Sequence, residues 1–258
     1  MMFRLPVSGL EVVLRQPAGV EDLLLLETPG YDTDLALALV TRLASRSDGT
    51  PTEWGTLTVT DLDALLLRLR QLVFGDVIRA DVLCTVKDCG ARIDVSFRIT
   101  DYLAHHTPHA PRGVEAAPEA GWFRVQGQEI MFRLPSGLDQ AAVAGMEQPE
   151  RELIRRCVRP AELPARWLRR VERAMEALAP SLSHALQGSC PQCRTKADIY
   201  FEVQRFVLQE LRDQAAFLYE DVHLLARHYH WAEEKILALP RYRRVQYADR
   251  LRQERSPS

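Results

Sequence analysis

The sequence of 258 residues lacks long apolar runs and lacks an excess of charge of either sign. Its apolar stretches, such as 23–26 and 64–67, fall far short of the roughly 18 apolar residues that a membrane-spanning helix needs. With 33 Lys and Arg against 35 Asp and Glu, the net charge of −2 argues against a dedicated polynucleotide binder. The hydrophobic content of 47% excludes disorder of the whole chain, because this much apolar surface can form a core.

The sequence also contains no Gly-rich phosphate loop, no Ser nucleophile elbow and no His-Glu-x-x-His helix. We therefore predict that the protein is not an enzyme and has no small-molecule substrate. The N-terminal stretch 1–19 has no apolar region of the signal-peptide kind. This predicts a cytoplasmic protein, in which cysteines stay reduced unless a metal ion holds them.

Two blocks of sequence occur twice in the same order. The first spans 9–23 and 127–141, and the second spans 89–103 and 193–207. Each copy predicts a short strand, a Pro-x-Gly turn and a helix start, then helical sequence (62–74 in the first copy and 167–186 in the second), and later a cysteine pair followed by an alternating strand. The pattern predicts an α+β fold built from an internally duplicated hairpin–helix–cysteine-knuckle–strand unit, zinc-ribbon-like, with a C-terminal helical tail. Chance similarity between amphipathic segments is the alternative. The matched residues are Gly9, Glu11, Arg15, Pro17 and Gly19 with Gly127, Glu129, Arg133, Pro135 and Gly137, and Asp94, Val95, Phe97, Ile99 and Tyr102 with Asp198, Ile199, Phe201, Val203 and Phe206.

The repeat divides the chain into four predicted segments. We expect a first unit over 1–104, a linker over 105–121, a second unit over 122–210 and a helical tail over 211–258. The linker is rich in Pro, Ala and His, which is typical of an exposed loop. Three histidines in it predict a solvated cluster, with metal binding as the alternative: His105, His106 and His109.

Four of the five cysteines form two closely spaced pairs. Cys84 and Cys89 are separated by four residues, and Cys190 and Cys193 by two. Each spacing suits one edge of a tetrahedral zinc site, because thiolates are soft ligands and four of them fill the coordination shell. If the two halves pack about a pseudo-two-fold axis, both pairs can reach one structural Zn²⁺ ion.

Two other interpretations of these cysteines remain open. The Cys-Pro-x-Cys pair at 190–193 is also found in thiol oxidoreductases, although there it opens a helix, and here the residues after it alternate like a strand. The cysteines can instead be reduced and metal-free. Cys157 has no nearby cysteine and is predicted to be a small core residue.

The C-terminal segment is predicted to be helical. Apolar residues recur at steps of three and four over 206–227, a further helix is predicted over 231–239, and Pro240 opens another. Tryptophan, tyrosine and arginine are enriched in binding hot spots. We expect Trp231 to be partly buried, and Arg243 and Arg244 to point outward. The candidate partner-binding residues are Trp231, Tyr242, Arg243, Arg244 and Tyr247.

The second half and the tail resemble a known family. The segments are MFRLPSGLDQ, ERELIRRCV, LAPSLSHALQGSCPQC with its F-x4-F exit, and DVHLLARHYHWAEEKILALPRYRRVQYADRL. Over roughly 123–251 they are similar to the baseplate hub assembly chaperone family of T-even type tailed phages, encoded with contractile tails and phage-tail-like injection systems. The resemblance implies help in assembling a baseplate hub. The N-terminal copy departs from the family's typical unit.

The leading functional hypothesis is a non-catalytic assembly factor, or a minor structural component, of the baseplate hub of a contractile tail-like particle. Its expected partners are hub, spike or tape-measure proteins, with the chain retained in the particle as one possibility. The alternative is a zinc-ribbon nucleic-acid-binding regulator, which the basic tail favours and the net charge of −2 disfavours.

Overall fold

The computed structural model describes residues 1–255, and in them helices and strands are mixed, with 47% helix and 20% strand. This confirms the prediction of a mixed α and β chain. The helices are α1 (Gly19–Glu27), α2 (Thr33–Leu43), α3 (Val59–Phe74), α4 (Ile99–His105), α5 (Gly137–Val143), α6 (Pro149–Cys157), α7 (Ala165–Leu178), α8 (Val203–Ala215), α9 (Leu218–Tyr229), α10 (Glu233–Leu237) and α11 (Arg241–Arg255). The strands are β1 (Met2–Arg4), β2 (Glu11–Leu14), β3 (Ala44–Arg46), β4 (Val77–Leu83), β5 (Arg92–Arg98), β6 (Val114–Ala116), β7 (Trp122–Val125), β8 (Met131–Arg133), β9 (Val158–Arg159), β10 (His184–Ser189) and β11 (Lys196–Phe201). None of the described helices combines the length and the apolar character needed to cross a membrane.

The largest core surrounds α3, which is apolar on most of its sides. The helix begins after Thr58, whose hydroxyl accepts a hydrogen bond from the Asp61 N–H, and it ends at Gly75, where φ is +87°. Five of the six leucines of α3 are fully buried, and a helix buried on several sides must be enclosed by neighbours. The antiparallel sheet β1-β2-β3 and helices α1, α2 and α8 supply that enclosure.

A second, smaller core lies between the antiparallel sheet β6-β7-β8-β9 and α7. Phe132 and Val171 are fully buried in it, and so is Cys157 at the end of α6. Burial raises the pKa of the Cys157 thiol to about 11, so this side chain stays neutral and behaves as a small apolar group. The prediction for Cys157 is confirmed. Part of the predicted linker 105–121 is strand β6, which pairs with β7.

The C-terminal helices fold back onto the N-terminal part of the chain. Ala18 and Pro240 form an isolated antiparallel bridge, and the Arg241 N–H donates to the Pro17 carbonyl at 3.3 Å. A Cβ on Gly19 would lie 2.7 Å from the Leu237 Cα, so only glycine permits this close approach. The predicted tail 211–258 is therefore packed against α1 over its described part, and its residues 256–258 lie outside the described residues.

The helical predictions fail at two boundaries. The periodic stretch 206–227 is two helices, α8 and α9, which are separated at Ala216 and Phe217. The stretch 167–186 is helical only to Leu178, because Pro180 cannot continue a helix and strand β10 follows. The spacing of apolar residues over a few positions does not by itself distinguish the end of a helix from the start of a strand.

A buried polar network joins α2, α3, α5 and α8. The Gln204 side-chain amide donates to the Asp63 carboxyl and to the Gln140 carbonyl oxygen, at 2.9 Å each. The Thr33 hydroxyl donates to Gln204, and the Ser183 hydroxyl to Asp63. Burial raises the pKa of Asp63 from 3.8 to about 7, although the hydrogen bonds from Gln204 and Ser183 oppose the shift.

The Asp63 shift predicts a pH dependence of stability. The folded chain binds a proton at Asp63 that the unfolded chain has already lost, so the unfolding free energy falls as pH rises from 3.8 to about 7. We expect Asp63→Asn to remove this decline and to raise stability at pH 8 by about 2 kcal/mol. Urea unfolding of wild type and Asp63→Asn between pH 4 and 8 measures the change in unfolding free energy, with the exposed Asp34→Asn as control. Parallel pH profiles for wild type and Asp63→Asn would contradict the prediction.

Candidate metal centre

Two β-hairpins carry the paired cysteines at their tips. Strands β4 and β5 pair in antiparallel register over 77–83 and 92–98, and β10 and β11 pair over 184–189 and 196–201. The two hairpins contact each other through β5 and β10. A Cβ on Gly188 would lie 3.3 Å from both Ile93 and Ile199, so the strands pack closely at this position.

The hairpin packing brings the four predicted cysteines together. The Sγ atoms of Cys84 and Cys193 are 3.6 Å apart, those of Cys89 and Cys190 are 3.7 Å apart, and all four lie within 4.8 Å of one another. Both short distances run between hairpins. A tetrahedral ion with Zn–S bonds of about 2.3 Å would place neighbouring sulfurs ~3.8 Å apart. The prediction that the two pairs meet is confirmed, and the site can hold a metal ion.

The turn at the tip of each hairpin places both of its cysteine sulfurs on the same side of the turn. The Cys84 N–H donates to the Ala91 carbonyl at 2.8 Å, and the Cys190 N–H donates to the Thr195 carbonyl at 3.0 Å, which closes each knuckle at its base. Asp88 and Arg194 have φ values of 65° and 59°. These left-handed residues reverse the chain within a few positions, so both cysteines of a knuckle face the same side.

The pKa values of the Cys193 and Cys84 thiols are shifted in opposite directions. Hydrogen bonds from the Thr195 hydroxyl and N–H lower the pKa of Cys193 to about 6. At Cys84 the Val86 N–H lowers the pKa, but desolvation and the neighbouring thiols outweigh it and raise the pKa to about 12. Several anionic sulfurs repel one another at these distances, whereas a divalent cation stabilises all four as thiolates. The site therefore favours cation binding.

The local structure does not resemble that of a thiol oxidoreductase. In those enzymes the first cysteine opens a helix, and the helix dipole stabilises its thiolate. Here Cys193 is followed by strand β11, and Cys190 is buried. The low pKa of Cys193 comes from Thr195 and from its cysteine neighbours rather than from a helix dipole.

The predicted histidine cluster does not form a metal site. The rings of His105 and His106 are 5.1 Å apart, and His106 packs against His184 and Tyr102. The pKa of His106 is lowered by burial. His109 is fixed through its backbone, which donates to the Ala177 carbonyl. Within residues 1–255, the cysteine quartet is the one convergent group of three or more His, Cys, Asp or Glu ligands.

The candidate partner-binding residues lie in different environments. Tyr242 and Arg243 are exposed. Trp231 and Tyr247 are half-buried, and their rings contact edge to face at a centroid distance of 5.3 Å. The expectation that Arg244 points outward is wrong. Its guanidinium is only 1% exposed, because it forms ion pairs with the buried carboxylates of Asp22 and Asp221.

The sequence interpretation missed the strands that precede each cysteine pair. The stretch VIRADVL at 77–83 alternates apolar and polar residues, which is a strand signal. The stretch HALQGS at 184–189 contains a glycine and one large apolar residue, which gives a weaker signal. These strands complete the hairpins, so the cysteines lie at hairpin tips rather than at the entry to isolated strands.

Comparison of the chain with protein-family models, with curated proteins and with solved structures gave no match in any of the three. Within the described residues, the cysteine quartet at the hairpin tips is the convergent site that this geometry defines.

Proposed function

We propose that the cysteine quartet holds one structural Zn²⁺ ion that clamps the two hairpins together. The observation that carries this proposal is the pairing of thiols across hairpins at 3.6 and 3.7 Å, with about a hundred residues of chain between the knuckles. Four thiolates complete a tetrahedral shell and leave no position for a substrate or a water molecule. The ion would therefore stabilise the fold and would not take part in catalysis.

We also propose that the chain is an internally duplicated, zinc-ribbon-like protein. In the first copy of the repeat, Arg15 pairs with Glu21 at 2.7 Å, and Glu21 accepts a hydrogen bond from the Ala18 N–H. In the second copy, Arg133 pairs with Asp139, which accepts a hydrogen bond from the Ser136 N–H. The same arginine and the same helix position thus make equivalent contacts in both copies.

The surroundings of the two turns support the same proposal. The carbonyl of Pro135 accepts a hydrogen bond from the Val59 N–H at the start of α3. The matching carbonyl of Pro17 accepts one from the Arg241 N–H at the start of α11. Each turn is therefore bound to the first turn of a helix from elsewhere in the chain. Two unrelated amphipathic segments would share such contacts only by coincidence.

For the biological role, we propose a non-catalytic assembly factor, or minor structural component, of a contractile tail-like baseplate hub. The family resemblance over 123–251 supports this role, and the closed cysteine site offers no reactive position. The expected partners are hub, spike or tape-measure proteins. Among the candidate partner-binding residues, Tyr242 and Arg243 are exposed and therefore available to contact them.

A tagged pull-down from the producing cells tests this role. We expect hub, spike or tape-measure proteins to co-purify, from the soluble fraction for a transient chaperone or from sedimented particles for a retained subunit. Tyr242→Ala combined with Arg243→Glu is expected to reduce their recovery by about tenfold or more. The exposed Arg42→Glu on α2 serves as the control and is expected to leave recovery unchanged.

Two results of the pull-down would contradict the proposed role. Recovery of nucleic acid without any tail protein would replace it by the zinc-ribbon regulator. Normal particle assembly in cells that lack the gene would show that no step of assembly needs this chain.

A further inference from the structure

Helix α7 presents a row of arginines on one side. Arg166, Arg169, Arg170 and Arg173 follow one another at helical steps of three and four, so they lie on one face over about 10 Å. Arg112, in the segment before β6, lies beside them. We call these five residues the arginine face. It stands out locally, because residues 151–173 contain eight arginines and three glutamates in a chain of net charge −2.

The arginine face is not neutralised by carboxylates of the same chain. Among the described residues, none of its five arginines has an acidic group within ion-pair distance. Arg166 and Arg170 instead lie over the Trp167 ring, at 5.4 and 5.5 Å from its centroid. The Arg173 Nε donates to the Arg169 carbonyl at 3.1 Å.

The two acidic residues of α7 closest to this face are directed elsewhere. Glu176 accepts a hydrogen bond from the Ser181 N–H at 3.1 Å. Glu172 lines a different cavity, beside Arg151 and Arg155. The positive charge of the arginine face is therefore available to a ligand from outside the chain.

The arginine face also has a concave part. Arg112, Arg170 and Arg173 line a cleft of about 320 Å³ between α7 and the segment before β6. A Cβ on Gly113 would clash with a terminal nitrogen of Arg170, and Gly113 has a φ of +71°. Glycine at this position lets the Arg170 guanidinium lie against the backbone and leaves the cleft open.

We propose that the arginine face binds an acidic protein segment, in which carboxylates at helical spacing pair with guanidinium groups along α7. A guanidinium fork binds a carboxylate through two parallel hydrogen bonds, which gives both strength and orientation. The row spans about two helical turns, matching Glu or Asp side chains at positions i, i+3 or i+4, and i+7 of a partner helix.

The extent of the positive surface favours a protein over a nucleic acid as the ligand. A nucleic acid gains affinity from many phosphate contacts along an extended positive surface. Here the arginine row extends over about 10 Å of α7 and includes one adjoining residue, and the chain carries a net negative charge. The arginine face lies on a different helix from Tyr242 and Arg243, so the failure of either proposal leaves the other standing.

The test uses the full purified chain and a fluorescent helical peptide with glutamates on one side, in an anisotropy titration. The matched peptide with glutamines in place of the glutamates is expected to bind at least about tenfold more weakly. Binding of the acidic peptide is expected to weaken as the salt concentration rises, because salt screens exposed charges.

Charge reversal on the chain locates the bound peptide. We expect Arg169→Glu with Arg173→Glu to weaken binding about tenfold or more. Arg42→Glu with Arg205→Glu makes the same change of net charge on other exposed helix positions and is expected to change affinity less than about twofold. Circular dichroism and zinc content should be equal in all of these proteins. Equal losses in both double variants, no binding of the acidic peptide, or tighter binding of a DNA oligonucleotide to the same residues would overturn the proposal.

Discussion

Replacing Asp22 by Asn is expected to lower the free energy of unfolding by about 3 to 5 kcal/mol. Asp22 on α1 is fully buried and accepts hydrogen bonds from two arginines of α11. Nη2 of Arg244 donates to one carboxylate oxygen at 2.6 Å, and Nε of Arg241 donates to the other at 2.8 Å. The amide carries no charge, so Arg241 would remain buried without its counter-ion, and Arg244 would keep only Asp221 as an ion-pair partner.

The surrounding residues cannot compensate for the loss of this carboxylate. Asp221 on α9 is also buried, and it already pairs with Arg244 and Arg252. One terminal nitrogen of Arg241 and one of Arg244 are buried without a hydrogen-bond partner among the described residues. The network is thus short of acceptors before the substitution, and Asp22→Asn would remove the strongest one.

Urea unfolding at pH 7 measures this effect. The matched control is Glu27→Gln, at an exposed position of the same helix, which is expected to stay within about 0.5 kcal/mol of wild type. The network also holds α11 against α1, so limited proteolysis is expected to cleave the C-terminal helix of Asp22→Asn before the rest of the chain. A loss below about 1 kcal/mol, with the tail still protected, would show that the buried charges do not hold α11.

A second variant separates charge from packing. If the penalty arises from uncompensated guanidinium groups, Asp22→Asn combined with Arg244→Met is expected to cost less than the sum of the two single variants. Additive losses would instead indicate independent packing defects at the two positions. The pair is well suited to such a cycle, because the two side chains are in direct contact.

The position of Arg244 illustrates what sequence alone cannot provide. The local pattern correctly predicts a helix after Pro240. It also shows several exposed-type arginines, and nothing within α11 distinguishes Arg244 from Arg243. The difference comes from Asp22, a residue more than two hundred positions earlier in the chain. Only the tertiary arrangement of α1 and α11 determines which arginine is buried.

The cysteine site, in contrast, could be predicted from the sequence. The proposed repeat predicts that two knuckles distant in sequence lie in equivalent places, and that argument is sufficient to predict that Cys84, Cys89, Cys190 and Cys193 lie close together, as they do. Strand β10 carries a weak signal, because it contains Gly188 and its only large apolar residue is Leu186, whereas β4 alternates and could have been predicted from the sequence. The sequence also has arginines at 166, 169, 170 and 173, a spacing that places them on one face of a helix. The lack of carboxylate partners for these arginines required the structure.

Replacing Cys190 by Ser is expected to abolish binding of the proposed zinc ion. Cys190 is the most buried of the four thiols, and a hydroxyl is a poor ligand for an ion held by soft sulfurs. Elemental analysis of the wild-type chain is expected to give one zinc per chain, and less than about a tenth of that for the variant. Cys157→Ala removes a buried cysteine outside the quartet and is expected to keep its zinc.

The structural consequence of zinc loss should be local. Zinc contributes on the order of 10 kcal/mol to the folding of small zinc peptides, but here the leucine-rich core around α3 does not touch the quartet. We expect Cys190→Ser, or a chelator acting on wild type, to accelerate amide exchange in β4, β5, β10 and β11 by at least about a hundredfold. Exchange in α3 should change far less. Equal exchange in the hairpins with and without chelator, in a chain shown to have lost its metal, would contradict the role of the ion as a clamp.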